Sequence, residues 1–137
     1  MWAFFDRDEH SRVAQSHERA ERAGVRVAFS HPCFELWLLL HFMAGVPGAP
    51  TSKNVQDRLR AAHRAFRNYD KRLDTAPLAA LNGGEADAVG RARSLITNCP
   101  SMACSAKQGH AADCKVLDRA PSTEVWRLLV ELGVVPG

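Results

Sequence analysis

Met1 to Phe5 is an unbroken apolar run that meets Asp6, Arg7, Asp8 and Glu9 at once. Apolar on both faces, it predicts a short buried strand of the central, parallel kind. Ser11 to Ala23 carries a thin stripe of Val13, Ala14, Ala20 and Ala23 against Glu18, Arg19, Glu21 and Arg22, which predicts a helix stopped by Gly24. Val25 to Phe29 is β-branched and apolar again, a second strand. Strand, helix and strand in this order make a βαβ unit with parallel strands and a right-handed crossover.

Ser30-His31-Pro32 predicts a helix start, Ser30 capping and Pro32 in the first turn. Cys33 to Met43 is the most apolar stretch, a central buried helix that nevertheless contains Glu35. Ala44 to Pro50 is a loop. Thr51 or Ser52 caps a third helix whose stripe is Val55, Leu59, Ala62 and Phe66. A helical turn over Pro77–Leu81 and a helix over Glu85–Ile96 follow. Thr97 to Ala120 has no periodicity and reads as an irregular Cys-rich insert. Ser122 or Thr123 caps a last helix, with Val125, Leu128, Leu129 and Leu132 on one face. The fold class is therefore α/β, two parallel strands and a mainly helical remainder. Two strands do not make a stable sheet. Residues 1–137 are expected to be a single partial domain whose earlier strands lie upstream or come from another chain, with the edge of the first strand available for self-association.

Composition narrows the class. With 46% hydrophobic and 24% charged residues among 137, the chain is an ordinary globular domain, not a disordered or fibrous one. No apolar run approaches the roughly 18 residues of a membrane span. Four cysteines without a secretion signal point to a reducing cytoplasm. A net charge of +3 permits nucleic acid as a partner without demanding it.

Candidate chemistry begins where the first strand ends. Asp6 and Asp8, two apart in extended chain, leave on the same side at the carboxyl end of a parallel strand, where open α/β sheets bind ligands. Converging carboxylates repel unless a cation intervenes, and Mg²⁺ or Mn²⁺ takes such oxygens. The alternative is a polar turn in which Asp8 or Ser11 caps the next helix. Glu35, in the first turn after the second strand, falls on the same sheet edge. A buried carboxylate there either joins the metal or bonds backbone N–H groups at the helix start.

Phe5-Asp6-Arg7-Asp8-Glu9-His10, then Ala28-Phe29-Ser30-His31-Pro32-Cys33-Phe34-Glu35-Leu36-Trp37, resembles the RloB-like family. So do Tyr69-Asp70-Lys71 and Pro121-Ser122-Thr123-Glu124-Val125. The resemblance implies a bacterial phage-defence (abortive-infection) protein, often found beside an ATPase partner, with a fold similar to the Toprim domain. In that fold an early Glu and a later Asp-x-Asp hold Mg²⁺ for phosphodiester chemistry, which assigns Asp6 and Asp8 to the pair. The family's amino-terminal strand, with its Cys-Glu-Gly-like turn, has no counterpart in these residues, and His31 stands where the family usually has Asn. The implied function is a truncated Mg²⁺-dependent nuclease domain acting on nucleic acid, through Asp6, Asp8, Glu35 and Lys71. The alternative is a non-catalytic module that binds an ATPase partner.

Two further constellations remain. Cys99, Cys104, His110 and Cys114 suit tetrahedral Zn²⁺ chemically, but their C-x4-C-x5-H-x3-C spacing is that of no common knuckle. Incidental thiols are the expectation and zinc the lesser reading. The arginines from Arg58 to Arg72 either track a phosphate backbone or form a wet helix face. Cys33, Trp37 and Trp126 read as core residues.

Overall fold

The computed structural model describes residues 1–7, 12–48 and 50–137. Strands β1 (Trp2–Asp6) and β2 (Arg26–His31) are parallel, in register Trp2 with Arg26 through Asp6 with Ser30. Helix α1 (Val13–Arg22) connects them. It ends at Gly24, whose φ of +74° costs glycine nothing and turns the chain into β2.

The two-strand expectation is corrected. Ser122–Thr123 forms β3, antiparallel to β2, so the sheet order among the described residues is β1-β2-β3. Ser30, expected to cap a helix, lies inside β2, and its Oγ meets Thr123 Oγ1 at 2.8 Å. Ser122 and Thr123, also expected to cap, are buried strand residues instead. Among the described residues β1 lies at the edge of the sheet, and Phe4 on it is 49% exposed.

Helices cover both faces. Val27 and Phe29 point toward α1 and pack with Val13. Ala28, of opposite parity, joins the main core. That core is centred on α2 (Glu35–Leu39), with Leu36 to Leu40 buried. Helix α2 is far shorter than the Cys33–Met43 helix the sequence predicts. Beyond Leu39 the chain tightens into i→i+3 turns, His41 N to Leu38 O and Phe42 N to Leu39 O. Helix α3 (Ser52–Ala62) starts at a capping box between Thr51 and Asn54 and buries Val55 and Leu59, while Ala62 of the expected stripe is exposed. A 3₁₀ turn, Arg64–Phe66, adds the fully buried Phe66. Helices α4 (Thr75–Leu81), α5 (Glu85–Leu95) and α6 (Val125–Glu131) complete the body. α5 contributes Ala88, Val89 and Ala92 to the core, and α6 contributes Val125 and Trp126.

Two histidines are built into this framework. His17 on α1 is buried beside Glu21, with Glu124, Arg119 and Arg127 also acting on it, and burial holds its pKa below the usual value. His41 donates from Nδ1 to the Trp37 carbonyl and is likewise pushed down, mainly by burial, with Glu85 and Arg91 acting in opposite senses. A folded pKa below the unfolded 6.5 gives stability that is present above pH 6.5 and lost as pH falls beneath it. Thermal unfolding is therefore expected at lower temperature at pH 5 than at pH 7.5, with or without chelator. An unchanged melt across that window would contradict the buried, neutral placement of both rings.

Candidate functional site

Asp6 closes β1, and Arg7 N still donates to Ser30 O, so both parallel strands end together. Trp2, Phe4 and Asp6 share one face of the strand. Trp2 packs with the α2 core, whereas Phe5 packs with the α1 cluster, which puts Asp6 on the α2 side. Glu35 opens α2 on that side, only 4% exposed. Its Oε1 accepts from Tyr69 OH and from Gln56 Nε2, both at 3.4 Å. Helix α3 thus supplies Gln56, and the segment after the 3₁₀ turn supplies Tyr69.

The neighbours register both acids. Burial, then the Glu35 and Asp6 carboxylates, push the Cys33 thiol up to about 12, against a hydrogen bond from Ser52 that opposes the shift. Burial followed by Glu35 drives the Tyr69 phenol far above its ordinary range, and Asp6 adds to it. Asp6 and Glu35 therefore sit in one electrostatic neighbourhood at the carboxyl edge of the parallel strands. Asp8 lies outside the described residues. Lys71, two residues after Tyr69, is exposed and holds a left-handed backbone, φ +74°. Cys33 and Trp37 are buried core residues as expected. Glu35 accepts from the side chains of Tyr69 and Gln56, which the helix-start alternative did not foresee.

The second cluster departs from expectation. Ligand atoms of Cys99, Cys104, His110 and Cys114 all lie within 4.8 Å of one another, so the thiols are not scattered incidentally, and the group can hold a metal such as zinc. Burial, Arg119 and Arg127 push His110 down to about 4, leaving the imidazole neutral, the form that ligates.

Sequence reading missed a third polar feature. Arg119 and Glu124 form a buried ion pair, Nη1 to Oε1 at 2.7 Å. Glu124 Oε2 also accepts from Phe29 N of β2, and Arg119 Nη2 donates to Cys114 O. The available signal was an acid immediately before the apolar start of α6, the same anomaly that singled out Glu35.

The model of the RloB-like protein family matches residues 1–132. The chain belongs to the RloB-like family. No curated protein and no solved structure matches it. Within the RloB-like match fall both Asp6 and Glu35, the Cys₃His cluster, and the Ser-Thr segment that forms β3. Among the described residues no helix is long and apolar enough to cross a membrane.

Proposed function

We propose that this RloB-like chain is the Toprim-like part of a phage-defence nuclease, cleaving phosphodiester bonds with Mg²⁺ or Mn²⁺. The observation that carries the reading is the placement of Glu35, a buried acid in the environment Asp6 also reaches, at the carboxyl edge of two parallel strands. The donor set fits a hard divalent cation, because carboxylate oxygens are the ligands Mg²⁺ takes and both acids act on the same two neighbours, Cys33 and Tyr69. Asp6 and Glu35 would hold the ion, with Asp8 as the further ligand the Asp-x-Asp motif supplies. When bound, the ion screens the phosphodiester charge and lowers the pKa of a bound water.

The protein's own groups do the rest. Tyr69 and Gln56 fix the Glu35 carboxylate through Oε1, so it meets a ligand already oriented. The phenol pushed far above neutral stays protonated and keeps donating. Lys71 faces solvent and offers a point charge to a phosphate oxygen. Arg58, Arg64 and Arg67 are exposed on the same segment that delivers Gln56 and Tyr69, and supply cations for a nucleic-acid backbone. Arg60 is committed elsewhere, to Tyr69 O and Asp57.

The second reading, an interaction module for an ATPase partner or another copy, is favoured by the edge position of β1 and the exposed Phe4. One experiment separates the two. Labelled single- and double-stranded DNA and RNA are incubated with the chain and Mg²⁺ or Mn²⁺. Cleavage that EDTA stops and Mg²⁺, not Zn²⁺, restores supports the nuclease. No cleavage of any substrate, together with sedimentation as a dimer, supports the module.

A further inference from the structure

We infer that the Cys₃His cluster is a closed, structural zinc site that fastens the third strand to the sheet. In a tetrahedral site with Zn–S near 2.3 Å and Zn–N near 2.0–2.1 Å, sulfurs sit about 3.8 Å apart and sulfur to nitrogen about 3.5 Å. Here Cys99 Sγ and Cys114 Sγ are 3.4 Å apart, and Cys114 Sγ is 3.9 Å from His110 Nδ1. All four ligand atoms fall within 4.8 Å, a gap that side-chain rotation closes. Four protein ligands leave no open position, which separates a structural site from a catalytic one.

The surroundings suit the charge. Three thiolates on Zn²⁺ leave the site net negative, each thiol having released its proton to solvent on binding. Ala111 N donates to Cys104 Sγ at 3.2 Å, a backbone bond to the ligand that suits a thiolate. Arg119 Nη2 donates to Cys114 O, and Arg93 donates to Ala106 O and Lys107 O within the loop between the ligands. Arg119 also acts directly on the Cys114 thiol, favouring its charged form, so at least one of these cations helps balance the sulfur charge.

The mechanical consequence follows from connectivity. The cluster joins Cys99, just past the 3₁₀ turn that ends α5, to Cys114, five residues before Arg119. Arg119 grips Glu124, and Glu124 grips β2 at Phe29 N. Between them lies β3, only Ser122 and Thr123. A two-residue strand has too few ladder bonds to hold itself in place. Zinc closes the loop that leads into it, and Arg119 relays that order to the sheet. The site is separate from Asp6 and Glu35 and stands whether or not that pair cleaves nucleic acid.

The test uses the full chain, purified under reducing conditions. Metal analysis is expected to give about one zinc per chain. Co²⁺ titrated into the chelated protein should produce thiolate-to-cobalt charge-transfer and tetrahedral visible bands. Cys104→Ser should weaken Co²⁺ binding on the order of 100-fold or more, at the upper end of or beyond what losing an outer partner costs. Cys33→Ser should leave metal content and bands unchanged. Chelation should raise hydrogen exchange across residues 97–124 while the buried amides of α3 and α5 keep their protection. Zinc far below one equivalent with no cobalt bands would overturn the site, as would a Cys99–Cys114 disulfide in protein that takes up no metal. Exchange in residues 97–124 that ignores chelation would overturn the fastening role.

Discussion

Asp6→Ala is expected to lower Mg²⁺-dependent cleavage by at least about 100-fold, the scale of removing one preorganised electrostatic stabiliser. Asp6 is only partly buried, at the end of a strand on the sheet edge, so its loss leaves the buried core intact, and the melt should stay cooperative. Glu35→Gln is more informative. The amide keeps an oxygen to accept from Tyr69 and Gln56 but loses the charge a cation needs. Cleavage should fall with Mg²⁺ affinity while unfolding shifts little. If Glu35 served only to bond its two neighbours, the same variant would cleave normally. Asp70→Ala is the control: Asp70 is exposed, bonds Arg72 and takes no part in the site. Equal loss in Asp6→Ala and Asp70→Ala would remove the case for a specific acidic centre.

Arg119→Ala should be the most destabilising single change outside the apolar core. The guanidinium is about 5% exposed and its partner about 4%, so truncation strands Glu124 as a buried charge. Breaking such a pair from one side costs about 3–5 kcal/mol. In a chain of this length that is roughly 10–20 °C of melting temperature. Arg119→Met with Glu124→Leu removes both charges and should recover a large part of the loss. Thermal unfolding by circular dichroism reads both. A shift under about 3 °C, less than 1 kcal/mol, would mean the pair is not buried as described.

Periodicity made the helices legible. The boundaries of α3 and α5 follow from Thr51 as a cap and from Glu85 onward with little error, because caps and apolar stripes are local signals. The apolar run from Cys33 to Met43 exposed a buried centre but not its conformation, since burial on all sides erases the period that separates a helix from successive tight turns. β3 was invisible for a related reason. Two residues carry no alternation, and Ser-Thr before an apolar helix is equally the pattern of a cap. The whole-sheet argument asked for earlier strands, upstream or in another chain, and gave no hint of the one at residues 122–123.

The acids divide in the same way. Glu35 stood out because a carboxylate inside an apolar helix needs a reason, and the structure supplies Tyr69 and Gln56 as partners from distant segments. Tyr69 stood out only within the Tyr69-Asp70-Lys71 segment and Gln56 not at all, and the pairing of either with Glu35 was not legible, because long-range side-chain pairing leaves no spacing in the sequence. The cysteines show the converse. Their spacing matches no familiar module, yet three-dimensional convergence depends on the loop path, which an irregular segment does not encode as a period.

The most direct test of the acidic centre is Mn²⁺ binding followed by electron paramagnetic resonance in zinc-loaded chain. A Mn²⁺ site is expected in the wild-type protein, weakened at least about tenfold by Asp6→Asn and by Glu35→Gln, with zinc content unchanged in both. Mn²⁺ binding that is the same in all three proteins would contradict the assignment of Asp6 and Glu35 to a metal.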